Sequence, residues 1–292
     1  MDESFENLLT TGKYPLIWKA IAEKRVEDAK KEISKYSVIP NKSLLRILKK
    51  NKTVQNDISL QVASEILEFK LSETLSKITL SIEEETNQFA ELIRLLFALQ
   101  LNGHFNPDVT ALSEKILDLL GVLAEQVRVQ AGDYPNTPIK AYVWASGSNI
   151  REMCVPLADY FGQLNELNNK AYVLQIRTKI TCSIMSHYPY TVGPDMIETA
   201  LAMEAIGETD LAKEYYEAVI ADFERIANEI KNHPEEEVWE EQIIPLTSLK
   251  QAYENSNRLN NTLQYTEQLQ FVNAVIEKGV TRIPNNDEED GD

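Results

Sequence analysis

Apolar residues recur at helical spacing along almost the whole chain, and only 10 of its 292 residues are glycine. Strict apolar–polar alternation, the mark of a half-buried strand, is scarce. Together these features restrict the chain to helix packed on helix, so the expected fold class is all-α. Leu16-Ile17-Trp18, Ile21-Ala22, Val26, Ala29 and Ile33 predict two short helices joined around Lys24-Arg25. Leu44-Leu45, Leu48 and the basic run Lys49-Lys50-Asn51-Lys52 follow, and Ile58, Val62, Ile66, Phe69, Leu75 and Ile78 continue the period. Ser81-Ile82-Glu83-Glu84 reads as a capping box, its hydroxyl and carboxylate satisfying free backbone N–H groups. It opens a helix through Phe89, Leu92-Ile93, Leu96-Phe97 and Leu99 that stops at Asn102-Gly103. Asn106-Pro107-Asp108 caps the next, with Leu112, Ile116, Leu119-Leu120 and Leu123 inward and Gly132 past its end.

Residues 1–131 are therefore expected to form an N-terminal helical bundle or array. The stretch Gly132-Asp133-Tyr134-Pro135-Asn136-Thr137-Pro138 is the clearest break and opens a turn-rich connection over 132–148. Thr137-Pro138 is expected to restart a helix through Tyr142 and Trp144, ended by Gly147-Ser148-Asn149. Residues 149–280 divide into three predicted helix pairs: 149–165 with 169–187, 194–206 with 209–231, and 235–256 with 259–278. Repetition on this scale marks a helical array in which each pair buries its apolar face against its neighbours. Residues 281–292 have no apolar residue after Pro284 and read as a disordered acidic tail.

The middle pair, ALAMEAIGETDLAKEYYEAV from Ala200 to Val219, resembles a tetratricopeptide repeat. Ala200 is small where two helices approach. Gly207 lets the backbone turn at a helix end. Ala212 again permits close contact, and Tyr216, one turn on, fills the gap beside it. The third pair offers Leu249, Ala252-Tyr253, Asn257 for the glycine, Thr262 for the alanine and Tyr265 for the aromatic. The first offers Ala158, Tyr160-Phe161, the Asn168-Asn169 turn and Ala171. Met196, Met203 and Val219 depart from the family's residues. The resemblance implies a right-handed solenoid of about three helix pairs whose function is to bind a protein or peptide.

Net charge is −17, placed unevenly: residues 1–60 carry +4 and the remainder −21. A field of that sign repels phosphate backbones, so nucleic acid is disfavoured and a basic protein partner is favoured. The start, MDESFENLLT, has acids where a secretory signal needs positive charge, and no run approaches the ~20 apolar residues of a membrane span. Two cysteines, Cys154 and Cys182, without C-x-x-C spacing, fit buried thiols of a reducing compartment. A cytoplasmic protein without membrane contact is expected.

No motif of catalysis stands out. His104, His187 and His233 are far apart and in turn-like contexts, and no cluster has ligand spacing for a metal. Ser146-Gly147-Ser148 fits neither a nucleophile elbow nor a phosphate-binding loop. Glu83-Glu84-Glu85 and Glu235-Glu236-Glu237 sit in predicted first turns, where acids complement the helix dipole. Lys42, Arg46, Lys49, Lys50 and Lys52 form either an anion-contacting patch or a solvated helix face, without aromatic residues between them. Tyr142, Trp144, Tyr160, Tyr188 and Tyr190 are the candidate partner-binding residues, since Tyr and Trp bury area while keeping a polar handle. The alternative is that they fill the core. The expected function is non-enzymatic binding of a protein or peptide, without cofactor or metal. The alternative is an acidic immunity- or inhibitor-type protein that neutralises a basic toxin or enzyme.

Overall fold

A computed structural model describes residues 15–23, 25–35, 107–233 and 238–279, with Glu65, Phe69, Glu73 and Ile82 placed singly. Among the described residues all regular structure is helical and there is no strand. No described helix is long and apolar enough to cross a membrane. The expected helices over 58–78 and 81–101, the basic cluster 42–52, His104, Glu235–Glu237 and the acidic tail lie outside the described residues, those single positions apart. The chain divides into two compact units, 1–123 and 124–292. In the first, α1 (Pro15–Ala22) packs on α2 (Val26–Ile33) through buried Ile17, Ala20 and Ala29. The boundary between the units falls inside α3 (Pro107–Ala131), which begins at the predicted proline and ends at Gly132, φ 61°.

The second unit continues with α4 (Ala141–Gln163), α5 (Leu167–Ile184), α6 (Pro189–Ala205), α7 (Thr209–Asn232), α8 (Glu240–Asn260) and α9 (Thr266–Lys278). One sequence expectation fails at α4. The helix starts after Pro138, at Ala141, and runs straight through Gly147-Ser148-Asn149. Gly147 is present for space, not for a turn. A Cβ there would stand 2.7 Å from Ile184 Cδ1 and 3.1 Å from Val127 Cγ1.

Three helix pairs, α4–α5, α6–α7 and α8–α9, are each closed by the same backbone device. Asn165, Gly207 and Asn261 follow the first helix of each pair with φ of 59°, 85° and 49°, the left-handed region open to glycine and, at some cost, to asparagine. The next N–H in each case, of Glu166, Glu208 and Thr262, returns to the carbonyls of Phe161, Met203 and Asn257 at 2.9–3.0 Å. This is a Schellman closure, which satisfies carbonyls the helix leaves free. The turn residues of the outer pairs are thus Asn165 and Asn261. Asn168 and Asn169 lie inside α5 and Asn257 inside α8, contrary to the sequence reading.

Helix directions follow from paired contacts. Gly147, Arg151 and Gly162 of α4 meet Ile184, Thr181 and Lys170 of α5, so the two run antiparallel. Thr181 and Leu174 of α5 hydrogen-bond Asp195 and Thr199 of α6, again antiparallel. Gly193 and Glu204 of α6 meet Phe223 and Tyr216 of α7, antiparallel once more. The same two α6 residues meet Ser248 and Arg258 of α8, so α6 and α8 lie side by side and parallel. A Cβ on Gly193 would stand 2.5 Å from Phe223 Cε2, which is why this contact demands glycine. The result is two layers. The first helices of the pairs form one, α6 and α8 packing directly and α4 tied to α6 through Arg151 and Asp195, and α5 and α7 cover one side of it. Ala200, Ala212, Tyr216, Leu249, Ala252 and Tyr253 are buried between the layers.

Two stability tests follow. Nothing lies within 4 Å of a Cβ on Gly207, so Gly207→Ala isolates the backbone term and should cost about 1 kcal/mol, whereas Asn261→Gly should be neutral or stabilising. Ala212 is fully buried, so Ala212→Leu should cost about 1–3 kcal/mol by overpacking, and half-buried Lys213→Leu less than about 0.5 kcal/mol. Urea unfolding checks both. Equal midpoints for the Ala212 and Lys213 variants would contradict the packing described.

Candidate functional site

The first pairs are locked by a buried carboxylate. Asp195, with a side chain 1% exposed, sits at core register in α6 between Val192 and Met196. Arg151 of α4 grips it with two bonds, Nε to Oδ2 at 2.9 Å and Nη2 to Oδ1 at 3.0 Å. Arg177 of α5 pairs with Oδ1 at 2.6 Å, and Thr181 Oγ1 donates to Oδ2 at 2.6 Å. Thr178 Oγ1 donates to the Asp195 carbonyl at 2.9 Å, and Thr199 Oγ1 to that of Leu174 at 3.0 Å. Three helices therefore meet at one charge. Arg177 also reaches Glu198 on the surface of α6 at 2.6 Å. The sequence reading overlooked this cluster. Its one visible signal was an acid at an apolar position of the α6 period.

Opposite α5 and α7, the α4–α6–α8 layer leaves one row of each helix in solvent. On α6 the row is Tyr190, Pro194, Glu198, Leu201 and Ala205; on α8 it is Glu241, Ile244, Thr247, Gln251, Glu254 and Arg258. On α4 it includes Trp144, Ala145, Glu152, Val155 and Asp159. The pairings Arg151–Asp195 and Gly193–Ser248 set the relative heights of the three helices. At those heights Trp144, Tyr190 and Ile244 are level to within a helical turn. Glu152, Glu198 and Glu254 form an acidic band farther along, and Val155 and Leu201 a second apolar band. Asp159 and Glu204 follow, with Arg258 on Glu204 at 2.5 Å.

The five aromatic candidates separate on this frame. Trp144 and Tyr190 are exposed on the open face. Tyr188 joins a cluster at the start of α6: His187 is 3.9 Å from its ring centroid and Tyr190 is 5.5 Å from it. Tyr134 packs edge-on against His187 and bonds its Nε2 at 3.2 Å. Tyr142 is half-buried, donating to Gln130 Oε1 at 2.7 Å beneath the Lys140 ammonium. Tyr160 is a correction. It is 1% exposed and edge-on to Phe161 at 5.2 Å, so it serves the core and cannot touch a partner. Leu201, Val155 and Ile244 were missed because single apolar residues in helical sequences read as core.

The covering layer has its own chemistry. Tyr216 OH donates to Glu204 at 2.6 Å and Tyr253 OH to Glu224 at 2.9 Å. Burial first, and the neighbouring carboxylate second, push both phenols upward, so they stay protonated donors. Burial raises the thiol of Cys154 to about 12 and that of Cys182 to about 11, far from a nucleophile's range. A groove of about 290 Å³ lies between α7 and α9 over Tyr253, bordered by Glu224, Lys231, Glu267 and Phe271. No group of three or more His, Cys, Asp or Glu is placed to hold a metal ion among the described residues.

Asp195→Asn would leave two guanidiniums facing a neutral amide. It should cost about 3–5 kcal/mol in urea unfolding, against less than about 1 kcal/mol for half-exposed Glu198→Gln. Similar losses for the two would show that the buried charge does not hold the pairs together.

Comparison with known proteins finds no matching family model, no similar curated protein and no similar solved structure. The geometry of the open face is therefore what bears on function.

Proposed function

We propose that the second unit is a docking module that binds a protein or peptide, without chemistry, on the open face of α4, α6 and α8. One observation carries the reading: each of the three helices exposes a bulky apolar residue (Trp144, Tyr190, Ile244) and, farther along the same row, an acid (Glu152, Glu198, Glu254). Isolated surface apolar residues need no explanation, but bands that continue across neighbouring helices do. Trp and Tyr are the side chains most often at the energetic centre of interfaces. The exposed apolar residues of α5 are Leu167 and Tyr172 near its start, and α7 and α9 expose none that is large. The tetratricopeptide-like reading is supported by buried Ala200, Ala212 and Tyr216, by Gly207 at its helix end, and by the pairwise layering. Arrays of that kind bind partners along an extended surface.

The acidic-inhibitor reading remains the second one, favoured by the additional outward row Asp210, Glu214 and Glu217 on α7. Its mark is an association rate that falls steeply with salt.

The docking face is tested by affinity capture from the native extract with three forms of the full chain. A partner should be recovered by the wild type and by Leu263→Ala, a change at an exposed site in the α8–α9 connection. The double variant Trp144→Ala/Tyr190→Ala should lose it, since buried interface aromatics typically contribute about 2 kcal/mol or more each. A partner retained by the double variant, or none recovered reproducibly, would count against the face.

A further inference from the structure

Resting on that reading of the face, we infer that its occupant is a positively charged peptide segment of another protein, laid across the three helices. Its bulky apolar side chains are spaced to meet one helix each. α6 and α8 pack side by side at the roughly 8–10 Å usual for packed helices, so Tyr190 and Ile244 stand one such step apart, and Trp144 is level with them on α4, which Arg151 ties to α6. A segment crossing the helices meets one contact per helix. Beside this band runs the acidic one, Glu152, Glu198 and Glu254. Part of its charge is unspent. Glu152 has no ion-pair partner among the described residues, and Lys250 stands 3.9 Å from Glu254. Glu198 balances the one positive charge left over where Arg151 and Arg177 meet the single carboxylate of Asp195, so the uncommitted charge of the band lies on Glu152 and, in part, on Glu254. Asp159, beyond Val155, adds a further acid with no ion-pair partner among the described residues. Arg258, an exposed cation of the α8 row, is neutralised by Glu204. An acidic or phosphate-bearing segment would meet uncompensated repulsion, whereas lysine or arginine beside each apolar anchor meets a carboxylate. The aromatic rings add attraction for a cation over their faces.

The test uses the full chain and three labelled synthetic peptides with leucine at every third position, the others being lysine, serine or glutamate, followed by fluorescence anisotropy. The lysine peptide should bind more tightly than the serine one, and the glutamate peptide should not bind. Its affinity should fall as salt shortens the screening length. Glu152→Gln/Glu198→Gln/Glu254→Gln should weaken the lysine peptide about tenfold, and Glu152→Gln/Glu254→Gln, which spares the Arg177 contact, by several-fold. Asp210→Asn/Glu214→Gln/Glu217→Gln removes the same charge from α7 and should change affinity less than about twofold. Equal loss in the α7 variant would mean bulk attraction alone and would overturn the inference, as would failure to bind the lysine peptide. If Trp144→Ala/Tyr190→Ala abolishes binding of all peptides while the acidic-band variants bind normally, the docking face stands and the basic occupant falls.

Discussion

A carboxylate removed from water is costly unless several donors meet it, and Asp195 is met by two guanidiniums and a hydroxyl. Those donors come from α4 and α5, so the charge is satisfied only when three helices hold one mutual register. Apolar packing alone would tolerate sliding by part of a turn, because leucines and valines contact many neighbours about equally well. A bidentate guanidinium does not slide. Once Arg151 is fixed over Asp195, Trp144 and Val155, which flank it on α4, lie toward α6. The outward row of α6 is set by the same bond. The open face is in this sense a consequence of a buried charge.

Beyond α6, steric fit replaces charge. Gly193 lets Phe223 and Ser248 approach the α6 backbone closely, which draws α7 and α8 onto one helix at one point. Ala200 and Ala212 do the same farther along. Polar ties are added at the far end, where Tyr216 and Arg258 share Glu204. The unit thus changes its means of alignment along its length, from an ionic clamp between the first pairs to small-residue contacts between the later ones.

Helix content was legible because period and capping are local properties. Pro107 starting α3 and Gly207 ending α6 were read correctly, as each acts through its own backbone preference. The outer turns were misread for an equally physical reason. Asparagine is tolerated in the left-handed region, but it also occurs inside helices, and the chain has an Asn at 165, 168, 169, 257, 260 and 261. Only tertiary packing selects Asn165 and Asn261. Gly147 misled in the opposite direction, since a glycine needed for space and one needed for a turn look alike in sequence. Asp195 and its arginines are 18 and 44 residues apart, beyond any local pattern, so the clamp could not be read from spacing. Tyr160 and Trp144 lie on one helix and face opposite environments, which composition does not distinguish.

The same layering assigns different work to charge and to aromatic area. Acids are spread over both layers, so the field they create acts in every direction and cannot by itself choose a docking face. Its reach is about 8–10 Å in physiological salt, enough to favour encounter with a basic molecule but not to orient it finely. Exposed aromatic area, by contrast, acts only in contact and governs how long a complex lasts. Trp144 and Tyr190 stand on helices rather than on loops, so little backbone freedom remains to be lost when they are covered. A face that places such anchors in line, beside an acidic band, separates attraction from retention. Encounter draws on the charge of the whole unit, whereas retention depends on the few residues whose level is set through Asp195 and Gly193.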